Sequence, residues 1–147
     1  MDLEDGRYVI ISAAPSVAPP PSPIGVDVVG FEEMPVVIYG STNVWNVKRN
    51  ADGNYHIVLD TPAAVGISSM ALDNDVFADY MRDPFEWTVK PAERPWKGFT
   101  IQLIEGGKHA PAWTCHSQVH KSPISLRPIE LMPTANQVFA FKRLSPE

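Results

Sequence analysis

Val44-Trp45-Asn46-Val47-Lys48 decides how this chain is read, because the phrase returns twice, as Glu86-Trp87-Thr88-Val89-Lys90 and Val138-Phe139-Ala140-Phe141-Lys142. Each copy runs aromatic, gap, apolar residue, lysine. Apolar side chains at every second position mark a strand with one buried face. A second phrase, aromatic-x-Ile, stands at Tyr8/Ile10, Tyr55/Ile57 and Phe99/Ile101. Its copies start 47 and 44 residues apart, and the aromatics of the lysine phrase lie 42 and 52 apart. Three copies of one unit of roughly 40 to 50 residues fit a repeat architecture.

Strand-like segments fall near 7–13, 24–29, 35–39, 44–49, 54–59, 65–70, 76–80, 85–90, 98–104, 111–116, 124–129 and 137–144, four to each unit. Asn50-Ala51-Asp52-Gly53 is the clearest turn, since Asp-Gly takes the left-handed conformations a hairpin requires. No stretch keeps a 3.6-residue apolar period for three turns; only Met70 to Met81 leaves room for a helical turn. Twelve antiparallel strands in three pseudo-symmetric four-strand units predict an all-β fold, a β-trefoil, with residues 1–147 forming one domain. Trp45, Trp87 and Phe139 then pack into the shared core. Lys48, Lys90 and Lys142 point outward.

The bulk composition agrees with a packed domain. At 147 residues, 44% hydrophobic and 10% aromatic, the chain is expected to bury about 68–70% of its unfolded surface. Fifteen prolines against nine glycines suit turns and strand ends and disfavour long helices. The formal charge is −5, and no basic run exceeds Lys48-Arg49 or Lys142-Arg143. A nucleic-acid partner, which needs clustered cations to neutralise phosphates, is therefore not expected. One cysteine, Cys115, allows no internal disulfide and fits a reducing compartment. The opening Met1-Asp2-Leu3-Glu4-Asp5 is acidic where a signal peptide carries positive charge. Tyr8 to Ile11 is too short to span a bilayer. The expectation is a cytoplasmic monomer without a membrane partner, with release by a non-classical route left open.

Catalytic spacing is missing. The chain has no G-x-S-x-G elbow, no H-E-x-x-H and no phosphate loop, and Gly106-Gly107 reads as a hairpin turn. Cys115 and His116 are neighbours, so on a strand they face opposite ways and cannot pair as nucleophile and base. His116 and His120 share a face but lie about 13 Å apart along a strand, too far for one metal ion. Asp73-Asn74-Asp75 starts like a calcium loop without its glycine and closing glutamate. No enzyme, metal site or cofactor is expected. Recognition carried by loops on a rigid scaffold is the better reading.

Two groups of motifs resemble one family. Leu3-Glu4-Asp5-Gly6-Arg7-Tyr8 and Trp45 through Tyr55, with the turn Arg49-Asn50-Ala51-Asp52-Gly53, are similar to the mycocypins, mushroom β-trefoil inhibitors of papain-like cysteine proteases and, in some members, of legumain or trypsin. Val76-Phe77-Ala78, Glu86-Trp87-Thr88-Val89, Phe99-Thr100-Ile101 and the tail Pro133 to Phe141 resemble the cospin and cnispin type of mushroom serine protease inhibitor. The resemblance implies a fungal defence protein whose partner is a protease, with no cofactor.

In the serine branch, the resemblance places inhibitory loops between the second and third strands and between the last two. The first contains Phe31, Glu32, Glu33 and Met34; Phe31 or Met34 would suit an apolar S1 pocket, Glu32 or Glu33 a basic one. The other spans about Met132 to Asn136. The bond best suited to a trypsin-like enzyme is Lys121-Ser122, in the preceding loop, because Arg127 is followed by Pro128, which fixes φ on the leaving side. In the cysteine branch, the implicated loop is Ala14 to Pro23, with Pro19, Pro20 and Pro21 pre-extended as polyproline II; the legumain-reactive position falls at Asp60. Serine proteases are read ahead of cysteine proteases. A β-trefoil lectin is the rival from another class: Asn43-Val44-Trp45 approaches its Q-x-W signature without the Gln, and Trp96 and Trp113 fall outside the repeated phrase, where they could stack on sugars, although a lone Trp beside Pro is more often a local packing anchor.

Overall fold

The computed structural model describes residues 3–13, 23–27, 34–38, 40–60, 67–72, 75–79, 85–92, 98–104, 110–115, 122–129 and 135–144. Among these the regular structure is strand: β1 Gly6–Ser12, β2 Ile24–Gly25, β3 Met34–Pro35, β4 Val37–Ile38, β5 Val44–Arg49, β6 Tyr55–Leu59, β7 Ile67–Leu72, β8 Asp75–Asp79, β9 Glu86–Pro91, β10 Phe99–Leu103, β11 Ala112–Thr114, β12 Ser125–Arg127 and β13 Phe139–Arg143. A 3-10 turn, Ala135–Gln137, leads into β13. The room left for a helical turn between Met70 and Met81 is taken instead by β7 and β8, paired antiparallel over five positions. Where β-pairing is available on both sides, weak local preference gives way to tertiary context.

Six strands close into a barrel, in the order β1, β5, β6, β9, β10, β13 and back to β1. All these pairs are antiparallel, and their register repeats three times. The aromatic of each aromatic-x-Ile phrase faces the aromatic of the lysine phrase: Tyr8 opposite Trp45, Tyr55 opposite Trp87, Phe99 opposite Phe139. On the alternate seams the isoleucines repeat in the same way: Ile57 opposite Val47, Ile101 opposite Val89, Ile10 opposite Phe141. A one-residue slip on any seam would turn these side chains to the other face, so one shared register is strong evidence of a common unit.

Three short hairpins, β2–β4, β7–β8 and β11–β12, continue from the barrel. They meet in a cycle of backbone hydrogen bonds. The Val36 N–H donates to the Val76 carbonyl (3.0 Å), Val76 N–H to Ile124 (3.0 Å), and Ile124 N–H back to Val36 (2.8 Å). All three residues are fully buried. Each donates and accepts once, so no polar group is stranded where the three units converge.

The core follows from the repeat. Trp45, Trp87 and Phe139 have no exposed surface, while Lys48, Lys90 and Lys142 are exposed, as the alternation predicts. Each large ring buries about 150–250 Å², on the order of 4–6 kcal/mol of transfer free energy. Trp113 takes the packing role, not the sugar-stacking one. It is fully buried, with its ring edge-on to all three phrase aromatics, at 6.5 Å from Trp45, 5.4 Å from Trp87 and 6.1 Å from Phe139. Trp113 therefore fills the centre of the core and offers no face to a sugar. Trp96 lies outside the described residues.

The end of the barrel where β5 runs into β6 is closed by side chains. Asn50 Oδ1 accepts from the N–H groups of Asp52 and Asn54, both at 3.0 Å, and its amide donates to Glu86. Gly53 takes φ +85 in this turn, the left-handed region the Asp-Gly pair predicts. The N-terminal segment lies across the same end. The Tyr55 hydroxyl donates to the Leu3 carbonyl (2.9 Å), and Tyr8 to that of Glu4 (2.6 Å). Burial pushes the Tyr8 phenol above its ordinary pKa.

Candidate functional site

The described residues fix where each of the predicted recognition loops begins and ends. Phe31, Glu32, Glu33, Lys121, Pro19, Pro20 and Pro21 lie outside the described residues. Their feet are described, and these are held closely.

The segment 28–33 starts from Val26 and Asp27. Val26 exchanges two backbone bonds with Thr42, both at 2.9 Å. Asp27 accepts from Ser41 twice, through its carboxylate from the amide (3.3 Å) and through its carbonyl from the hydroxyl (3.2 Å). The segment ends at Met34, whose backbone pairs with Ala78 and whose side chain is 6% exposed and part of the core. Met34 thus serves as an anchor for the loop. Its thioether is committed to the interior, and entry into an S1 pocket would strip it from that core.

The segment 116–121 is held in the same way. Cys115 is buried, and its N–H donates to the Asn136 carbonyl (2.8 Å). At the far foot, the Ser122 carbonyl accepts from Ile38 N–H (3.0 Å), and Pro123 bridges to Val37. Two residues on, Ile124 enters the hydrogen-bonded triad. Met34 stands two residues before Val36 of that triad, so Met34 and Ser122 occupy equivalent places in two units. By this register the Lys121-Ser122 bond corresponds in sequence to the junction of Glu33 with Met34 in the first unit. The feet of the two segments also adjoin, since Val36 and Ile38 bond directly to Ile124 and Ser122.

The segment 130–134 runs between Ile129 and Ala135. Its last candidate, Asn136, is exposed within the 3-10 turn. The proline-rich segment 14–22 leaves after Ala13, whose N–H donates to the Val138 carbonyl (2.9 Å), and its neck is closed by an antiparallel bridge between Ile11 and Pro23. Asp60 stands at the end of β6. Its N–H donates to the Val44 carbonyl (2.8 Å), and its carboxylate accepts from Arg7 Nε at 3.0 Å.

Gln137, within the tail that carries the serine-inhibitor resemblance, is not among the predicted site residues. It is buried at 3% exposure, and its amide donates to the Thr114 hydroxyl (3.2 Å) and the Pro128 carbonyl (3.0 Å). The signal was present: Gln137 stands two residues before Phe139, as Asn43 stands two before Trp45. The Q-x-W pattern does not mark it, because this unit carries Phe139 in place of Trp. Among the described residues no group of three or more His, Cys, Asp or Glu is placed to hold a metal ion, and no helix is long and apolar enough to cross a membrane.

No family model matches the chain, and no curated protein matches it. Solved structures do. A proteinase inhibitor from Coprinopsis cinerea superposes with a TM-score of 0.74 at 16% identity, over 97% of this chain and 100% of that one. A ricin B-like lectin from Macrolepiota procera, in complex with lactose, gives 0.66 at 14% identity, over 98% and 99%. A designed 3-fold symmetric protein, ThreeFoil, gives 0.66 at 12% identity, over 95% and 100%. The backbone likeness to that proteinase inhibitor covers nearly the whole chain. At these identities the likeness establishes a β-trefoil-like fold shared by inhibitors and lectins.

Proposed function

We propose that residues 1–147 form one twelve-strand β-trefoil domain that inhibits serine proteases by offering a substrate-like loop, with Lys121-Ser122 as the reactive bond and a trypsin-like enzyme as target. The observation that carries this reading is the fixing of both feet of segment 116–121, at Cys115–Asn136 and Ser122–Ile38. Such a loop freezes few additional rotamers on binding, each worth about 0.5–1.5 kcal/mol. A lysine in a trypsin-like S1 pocket supplies the hot spot, and the adjoining foot of segment 28–33 helps exclude water around it. No cofactor takes part. The backbone likeness to a proteinase inhibitor over nearly the full chain supports the same reading.

A second reading, inhibition of papain-like cysteine proteases through segment 14–22, draws on the Ile11–Pro23 bridge that pinches the neck of the proline-rich loop. The lectin reading keeps the backbone likeness to a sugar-bound lectin but loses Trp113 to the core.

An inhibition panel of trypsin, chymotrypsin, subtilisin and papain, run beside a glycan array, separates the three. Nanomolar inhibition of trypsin, lost at least a hundredfold in Lys121→Ala, is the expected result. Inhibition of papain alone would move the site to segment 14–22. Four fully active enzymes at micromolar protein would sink the proposal, and glycan binding would replace it.

A further inference from the structure

We infer that Asp52-Gly53 is a self-modification site, at which the folded chain converts its own aspartate to isoaspartate while the other Asp-Gly pair, Asp5-Gly6, is held back. The inference goes beyond the inhibitor reading and does not depend on it.

The reaction joins the Gly53 main-chain nitrogen to the carboxyl carbon of the Asp52 side chain. The nitrogen gives up its proton, a carboxyl oxygen leaves as water, and a five-membered imide closes. Water then opens the ring at either carbonyl. Opening at the former main-chain carbonyl leaves the chain running through the side-chain carbon, so the water lost is regained and only the connectivity changes. Glycine on the C-terminal side favours the step, because no Cβ shields the attacking nitrogen.

The β5–β6 turn presents the reacting groups to solvent. Asp52 is exposed, and its carboxylate takes no hydrogen bond or ion pair among the described residues. The Gly53 N–H gives its proton to the Asn50 carbonyl at 3.1 Å, the longest hydrogen bond within Asn50 to Asn54. The Arg49 guanidinium lies over Gly53, its Nη2 3.5 Å from where a Cβ would stand. That charge favours both the deprotonated amide that attacks and the oxyanion that follows.

Asp5-Gly6 has the same two residues without this freedom. Asp5 Oδ1 accepts from the Arg49 N–H at 2.8 Å, and the Asp5 carbonyl accepts from Arg143 at 2.9 Å. Gly6 is paired opposite Val47 as β1 begins. A paired strand end opens less often than an exposed turn. Isoaspartate at 52 adds a methylene to the main chain where Asn50 Oδ1 holds the N–H groups of Asp52 and Asn54. The product therefore loosens this end of the barrel.

The test ages the full chain for weeks near neutral pH at body temperature, folded and in urea. Isoaspartate is read by methyl transfer from an isoaspartyl methyltransferase and placed by peptide mapping. The folded chain should carry isoaspartate at 52 at about ten times its level at 5, or more, since local opening sets the rate at 5. In urea the two sites should react at comparable rates. Asp52→Glu, which cannot close a five-membered ring, should lose the signal at 52, and Arg49→Gln should slow it in the folded chain alone. Equal levels at 5 and 52 in the folded chain, or no isoaspartate at 52, would overturn the inference. So would the same preference for 52 in urea, which would trace the selectivity to local sequence and not to the fold.

Discussion

A methyl group added at Gly40 is the sharpest perturbation the packing offers. Gly40 and Gly25 pass each other backbone to backbone. A Cβ at Gly40 would lie well inside contact distance of the Gly25 carbonyl carbon, 2.6 Å from the Val26 nitrogen and 2.7 Å from the Gly25 Cα. Those atoms are main chain and cannot rotate aside, so the strands must separate. Overpacking of this kind costs about 1–3 kcal/mol. Separation also strains the reciprocal bonds between Val26 and Thr42, both at 2.9 Å, for about 1 kcal/mol each. Gly40→Ala should therefore lose about 3–5 kcal/mol, read as a lower urea midpoint. In a chain of this length the same loss lowers Tm by about 6–20 °C. Because the Val26–Thr42 and Asp27–Ser41 contacts are the first foot of segment 28–33, limited proteolysis should also cut that segment sooner. A variant within about 0.5 kcal/mol of the parent, a change typical of neutral surface positions, would refute the close approach on which the argument stands.

Other outcomes follow from single contacts. Trp45 Nε1 donates to the Ile24 carbonyl at 2.8 Å, whereas Trp113 Nε1 has no partner; Trp45→Phe should cost about 1 kcal/mol more than Trp113→Phe in urea unfolding, since only the former strands a carbonyl. Trp113→Ala empties the middle of the aromatic cluster and should cost about 3–5 kcal/mol, with loss of near-ultraviolet dichroism. Asn50→Ala removes three hydrogen bonds from the β5–β6 turn and should lower stability by about 1–3 kcal/mol without changing protease inhibition. Burial raises the Tyr8 phenol above its usual value, so the folded state holds this proton more tightly than the unfolded chain. That contribution is complete below about pH 10 and is lost as pH rises through the folded value; Tyr8→Phe should flatten the alkaline decline in a pH series of urea midpoints.

The barrel was legible because its strands repeat a phrase whose alternation survives burial on one face. Trp45, Trp87 and Phe139 carry the same register and the same full burial as the spacing implies. The short hairpin strands were harder. Of the predicted segment 35–39, Pro35 ends β3 and Val37–Ile38 form β4, with the break at Val36, where pairing passes from β8 to β2. Trp113 carried no mark of its place, since three consecutive residues of β11 are buried and alternation disappears when both faces are covered. Met34 looked like a loop residue beside two glutamates, yet the pairing of β3 with β8 draws it inward. The loops are the least legible part: their function depends on side chains whose local sequence carries no periodic signal.

The structure of the chain bound to the protease it inhibits best tests the central claim most directly. The account predicts the Lys121-Ser122 bond lying across the catalytic nucleophile, with β1 through β13 unmoved and the Val36–Val76–Ile124 cycle intact. A protease seated on the barrel wall or on the Asn50 to Asn54 turn, with segment 116–121 outside the interface, would contradict it.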